Sequence, residues 1–212
     1  MPKFPKIQPQ EFKIFTRLNT PSKIQDFINK IPINFELQGD TCYSPLAVLR
    51  HNQAHCLEGA LLAAAIFWYQ GKKPLLLDLE TTDADECHVV TLFKRGRCWG
   101  AVSKTNHAVL RYRDPIYKNI RELVMSYFNE YFLDSGRKTL RRYSKPFSLL
   151  RYGTDWLTAK KNLWEIHDAL DKVPHFKILA NTKAKYLRPA DPIEIEAGKM
   201  LEWKEPRKNK KR

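Results

Sequence analysis

The stretch CLEGALLAAAIFWY at 56–69 constrains this chain more than any other, because it is built almost entirely from helix-forming and apolar residues. A helix that is apolar on nearly every side has no face to offer water, so it must lie inside the fold. The rest of the 212 residues must then be arranged around it. Gly71 stands where a C-terminal cap is needed. The one interior charge, Glu58, falls in the first turn, where the helix dipole favours an anion. The longest apolar run, 60–69, has ten residues, against the roughly 20 of a membrane-spanning helix. This is therefore a core helix, and no membrane association is expected.

The flanking sequence predicts what packs on it. Residues 1–20 are polar and Pro-spaced and read as an arm lying on the domain. Thr20–Pro21 is a helix-entry signal, and Ile24, Phe27, Ile28 and Ile31 share one face of the helix that follows. SPLAVLRHNQAH holds a second short helix. After GKKP the period changes: LLLDLET, CHVVTLFKR and RCWGAVSKT are short apolar or alternating runs, with a tight turn at Gly96 between the last two. They predict an antiparallel meander. DPIYKNIRELVMSYFNEYF returns to helical spacing through Ile116, Ile120, Leu123, Val124 and Tyr127. The expected organisation is an arm at 1–20, a core at 21–135, a helical extension packed on it at 136–192, and a basic, mobile tail at 193–212. The fold class is α+β.

Hydrophobic residues make up 43% and charged residues 28%, which excludes general disorder. The formal net charge is +14. Residues 202–212 carry six basic and two acidic side chains, so the body retains +10. Such a surface attracts any polyanion, and salt weakens that attraction. Nucleic acid is expected only as a partner of generic charge, because no RRM, KH or helix-turn-helix signature is present. The aromatic-basic stretches KTNHAVLRYRDP and RKTLRRYSKPFSLLRY suit RNA stacking, but they equally suit amphipathic surfaces whose rings pack inward. MPKFPKIQPQ has no apolar signal region, so a cytoplasmic location is expected. Cys42, Cys56, Cys87 and Cys98 form no C-x-x-C pair and read as free thiols.

One thiol departs from that plain reading. Cys56 heads the buried helix, where unpaired N–H groups and the dipole favour a thiolate and can hold an oxyanion. His88 opens the second strand, after the acidic loop TTDADEC. Lying against the helix, its imidazole would take the thiol proton and return it to a leaving amine. The plain alternatives are a structural thiol and a loop histidine held by acidic neighbours.

These residues resemble the transglutaminase-like superfamily, in which a helix headed by a nucleophilic Cys faces a sheet carrying His and then Asp. The stretch HVVTLFKRGRCWGAVSK follows the order of the family pattern HxWxEVY…GxWxxxD: Gly96 is eight residues after His88, Trp99 eleven after, and the Asp position, fifteen after, holds Ser103. The likeness covers about a quarter of the chain, 51–104, and the body as a whole is similar to a bacterial branch of that superfamily. The resemblance implies a papain-like core with added C-terminal helices, and thiol-dependent acyl transfer or amide hydrolysis on a peptide or protein amide, with no cofactor. Cys56 would be the nucleophile and His88 the acid and base. Ser103 lacks the charge of Asp but accepts an imidazole N–H. Asn106 is the other candidate for that orienting role, with Asp83 and Asp85 further ones. Gln53 is a weak candidate oxyanion donor beside the Cys56 N–H. A catalytically silent scaffold that binds a peptide or polyanion is the alternative. A separate pattern, HNQAH, spaces His51 and His55 for zinc with Cys56, but Asn52 occupies the place a metalloprotease gives to Glu. No metal is expected.

Overall fold

The computed structural model describes residues 2–206, apart from Ile7 and Ala180. Helix α1 (Pro21–Lys30) starts at Thr20, whose side chain accepts the Lys23 N–H, and buries Ile24 and Ile28. Helix α2 (Pro45–His51) starts at Ser44 and stops at Asn52, which takes the left-handed conformation. Helix α3 (Cys56–Tyr69) is the predicted central helix, with every residue from Leu57 to Trp68 buried. Its C-terminus closes as a Schellman motif: Lys72 N–H reaches the Phe67 carbonyl and Gly71 N–H the Trp68 carbonyl, both at 2.8 Å. Gly71 provides the positive φ that this turn requires. Trimming one of the buried leucines of α3 to Ala would cost about 2–5 kcal/mol.

Strands β1 (Leu75–Glu80), β2 (His88–Arg95) and β3 (Cys98–Ser103) form the expected antiparallel meander. Further strands are β4 (Arg113–Tyr117), β5 (Arg142–Ser144), β6 (Phe147–Ser148) and β7 (His175–Lys177). The sheet order is β4-β3-β2-β1-β5-β7, and β6 also pairs with β1. Both faces of the sheet are covered. Leu76, Val89, Phe93 and Val102 pack toward α3, while Leu77, Leu79, Val90 and Leu92 pack toward helix α4 (Ile120–Met125). This two-sided burial explains why β1 and β2 read as continuous apolar runs rather than alternating ones.

Two contacts seat α3 on the sheet. Thr91 Oγ1 donates to the Ala60 carbonyl at 2.6 Å. Gly59 lets β3 come close: a Cβ there would lie 2.4 Å from the Cβ of Lys104. Thus the absence of a side chain at 59 sets how closely the first turn of α3 approaches the strand that ends at Ser103.

Several expectations are corrected. Pro115 and Ile116 lie in edge strand β4 rather than a helix, and Ile116 is exposed. An edge strand tolerates Pro because one side of it needs no ladder donor. Asn119 then starts α4 by accepting the Glu122 N–H, so the helix begins later and is short. Residues 136–192 supply strands β5, β6 and β7 as well as helix α5 (Trp164–Asp171), because β1 leaves an open edge for β5 to pair. The arm contributes to the core: Phe12 and Phe15 are buried and stack at 4.7 Å. Within the segment expected as tail, helix α6 (Pro192–Gly198) forms, and Trp203 exchanges hydrogen bonds with Asn106. Residues 207–212 of that tail lie outside the described residues. Among the described residues no helix is long and apolar enough to cross a membrane.

Candidate active site

At the start of α3 and of β2 the chain encloses a cleft of about 700 Å³. Its walls are the loop 33–36, the acidic loop 84–88, the connection 104–110, Glu130–Phe132, and the Ile195–Lys199 stretch at the end of α6. Cys56, His55 and His88 all line it.

Cys56 is half-buried at the first position of α3, where its own N–H has no intrahelical acceptor. Burial alone would raise the thiol pKa. Hydrogen bonding and positive charge from His55 and His88 outweigh it, and the thiol sits well below its ordinary value. Cys42 shows the contrast: burial, with the Glu58 carboxylate beside it, pushes that thiol up to about 12.

His88 is 6% exposed, and its Nε2 lies 2.8 Å from Ser103 Oγ. Register explains the meeting. Ser103 pairs with Val90, and His88 is two residues earlier on the same strand, so both side chains project to one side of the sheet. The Ser103 hydroxyl donates to the Leu110 carbonyl at 2.5 Å, so its lone pairs face His88 and accept the Nε2–H. That network assigns the tautomer and leaves Nδ1 without a hydrogen-bond partner among the described residues. Gln25 of α1 holds the Ser103 backbone on both sides, its Oε1 accepting the N–H at 2.9 Å and its Nε2 donating to the carbonyl at 2.7 Å.

Glu58 is fully buried and fixes the opposite wall. Its carboxylate accepts from Asn34 Nδ2 at 3.1 Å, Thr41 Oγ1 at 2.7 Å, Tyr43 N–H at 2.9 Å and His55 N–H at 3.0 Å. A buried charge is tolerable when it is hydrogen-bonded on all sides. Here it ties the loop 34–43 to the head of α3.

The other sequence candidates do not meet His88. Asn106 is not at His88: its amide is spent on Trp203, donating to the carbonyl and accepting the N–H. Gln53 donates to Asn34 Oδ1 at 3.2 Å and does not line the cleft, so its N–H is already used. Asp85 accepts from Thr139 and caps Glu86 N–H rather than meeting His88. Asp83 is exposed. The zinc pattern is broken because Asn52 ends α2 between the two histidines, and His51 stacks on Tyr43 at 4.8 Å. Among the described residues no cluster suited to a metal ion occurs.

The sequence reading missed two groups. His55 was weighed only as a metal ligand, yet it flanks Cys56. Its Nε2 donates to the Thr41 carbonyl at 2.9 Å, and its Nδ1 accepts the Leu57 N–H at a long 3.3 Å. Burial opposes charge on this ring, but the hydrogen bond and negative charge of the Cys56 thiolate, with Glu58, raise it to about 9. Gaining that proton trades a weak helix cap for an ion pair. Its position directly before a helix-heading Cys was the available signal. Tyr131 also lines the cleft, 3% exposed, and its hydroxyl meets no hydrogen-bond partner among the described residues. No sequence signal marks it.

No protein-family model matches the chain. No curated protein matches it. Among solved structures it is similar to Legionella pneumophila LapG (EGTA-treated), at 12% identity and a TM-score of 0.41, over 71% of this chain and 89% of that one.

Proposed function

We propose that this chain has a transglutaminase-like, papain-like core and performs thiol-dependent acyl transfer, in its simplest form hydrolysis, on a peptide or amide bond. The Cys56 thiolate attacks the carbonyl carbon and forms a thioester, while the imidazolium of His88 gives its proton to the leaving amine. Neutral His88 then takes a proton from water, whose oxygen displaces the sulfur and releases the acid. The Cys56 N–H at the head of α3 donates to the transient oxyanion. Ser103 acts as a positioning residue. The observation that supports this reading is the hydroxyl of Ser103 between His88 Nε2, at 2.8 Å, and the Leu110 carbonyl, at 2.5 Å, an arrangement that leaves the other imidazole nitrogen free beside a thiol whose ionised form His88 favours.

Alkylation by iodoacetamide between pH 5 and 9, followed by mass mapping of Cys56, tests it. The rate should reach half its maximum well below pH 8, with Cys56→Ser as the blank. A profile rising only near the ordinary thiol pKa, about 8.5, refutes the proposal.

The neutral Ser103 favours a second reading, a catalytically silent scaffold that binds a peptide. A hydroxyl supplies no charge to stabilise an imidazolium. In that case Cys56 alkylates as an ordinary thiol and no amide is cleaved.

A further inference from the structure

The charge of the cleft runs against the charge of the chain. Among the described residues, five carboxylates line it, Glu36, Asp85, Glu86, Glu130 and Asp134, against two lysines. The whole sequence has 37 Lys and Arg to 23 Asp and Glu, so a cleft of average composition would be positive. Neither lysine restores the sign. Lys104 is buried with its ammonium donating to the Ile31 carbonyl, and its one charge does not offset the unmatched carboxylates. Lys199 pairs with Glu196 at 2.9 Å. Of the carboxylates, Glu130 is matched by Arg113. Glu36 lies 3.9 Å from the His55 ring and is matched by it, while Asp85 accepts from Thr139, a neutral donor that leaves its charge in place. Glu86 and Asp134 are exposed.

A second observation, independent of charge, points to a ligand in the same cleft. Buried hydroxyls are nearly always paired. Tyr131 is buried there with its hydroxyl unpaired among the described residues, and a polar group of a bound molecule would satisfy it.

We propose that the cleft selects a substrate segment carrying positive charge beside the bond that Cys56 attacks, that is, a peptide bearing lysine or arginine. This rests on the acyl-transfer reading above and adds the substrate class to it. A concave site with walls of low dielectric focuses the field of its carboxylates and raises the local concentration of cations. The basic exterior repels the same peptide everywhere else, so the attraction is confined to the nucleophile.

Two thiol reagents of opposite charge test the idea without a known substrate. In the full chain carrying Cys87→Ser and Cys98→Ser, the modification rate of Cys56 is measured with 2-(trimethylammonium)ethyl and with 2-sulfonatoethyl methanethiosulfonate. The ratio of the two rates is divided by the same ratio for 2-mercaptoethanol. At low salt the expected value is about tenfold in favour of the cation, the size given by a few carboxylates acting through water at cleft distances. Adding Glu86→Gln and Asp134→Asn, both at exposed sites, should cut it to about threefold or less, as should 0.5 M salt. A normalised ratio of one or below, or a ratio the double variant leaves unchanged, overturns the proposal. Measurement at pH 6.5 and pH 9 separates the two claims. The pH profile reports whether Cys56 is an activated thiol. The charge ratio can be read at pH 9 even from an ordinary one.

Discussion

Two histidines whose rings are buried have opposite surroundings. His88 rests on a neutral hydroxyl, Ser103, and keeps one ring nitrogen for a thiol. His175 of β7 spends both. Its Nδ1 donates to the Val173 carbonyl at 2.7 Å and its Nε2 faces Asp78 Oδ2 of β1 at 3.0 Å. The histidine beside Cys56 thus lacks a carboxylate, and the histidine with a carboxylate lacks a thiol partner. A ring with acceptors at both nitrogens is held as a structural clasp between strands. A ring with one acceptor and one open nitrogen can pass a proton. The sheet carries one of each.

The largest expected effect comes from exchanging their consequences. His88→Ala should slow Cys56 alkylation at pH 6.5 by roughly 10- to 100-fold, because the thiol loses one of the two imidazoles that favour its ionised form. His175→Ala should leave that rate within about twofold and instead lower stability, since it strands the Asp78 carboxylate in the interior. Iodoacetamide kinetics and urea unfolding on both variants give the two readouts. Equal slowing by both substitutions would dissolve the distinction drawn above.

The clasp has a pH signature of its own. Burial drives Asp78 up to about 6 from an ordinary 3.8, against the opposing pull of His175, with Asp171 adding to the rise. Glu80 also faces His175, at 3.8 Å. The folded state therefore holds the Asp78 proton more tightly than the unfolded chain does. Its contribution is complete below about pH 4 and disappears as the pH climbs through about 6. A shift of about two units corresponds to roughly 2–3 kcal/mol. The stability advantage of the native chain over Asp78→Asn should shrink by about 2 kcal/mol between pH 4 and pH 7 in urea titrations. Parallel stability curves would mean that the pair does not exchange a proton in this range.

How much of this could be read from residues alone follows from contact range. The central helix was legible because its sequence is apolar all round and ends at a glycine. The His88–Ser103 contact was anticipated only through the resemblance to a family pattern, and the hairpin at Gly96 realises it by fixing the register that makes residues fifteen apart neighbours. The clasp was not, since Asp78 and His175 are 97 positions apart and meet only when β5 brings β7 to the edge of the sheet. Strand β4 was misread because Ile116 and Ile120 happen to fall at helical spacing, a coincidence that local pattern cannot reject. His55 was weighed only beside His51, because nothing in HNQAH signals that Asn52 will turn left-handed and end the helix between the two histidines.

Tyr131 gives the smallest expected effect and the finest comparison. Burial drives its phenol well above the ordinary value, and the thiolate of Cys56 and the carboxylate of Asp78 add to the rise, so it feels both centres. Its hydroxyl nevertheless bonds to nothing among the described residues. Tyr131→Phe removes that oxygen and leaves the ring packing in place. Deleting a hydroxyl that is hydrogen-bonded costs about 1 kcal/mol, whereas deleting an unpaired one removes a desolvation penalty. The variant should therefore be as stable as the native chain or up to about 1 kcal/mol more stable in urea unfolding. A loss of about 1 kcal/mol instead would show that the oxygen is already held in the empty cleft by an ordered water. It would then belong with the clasp, as structure, and not with the open nitrogen of His88.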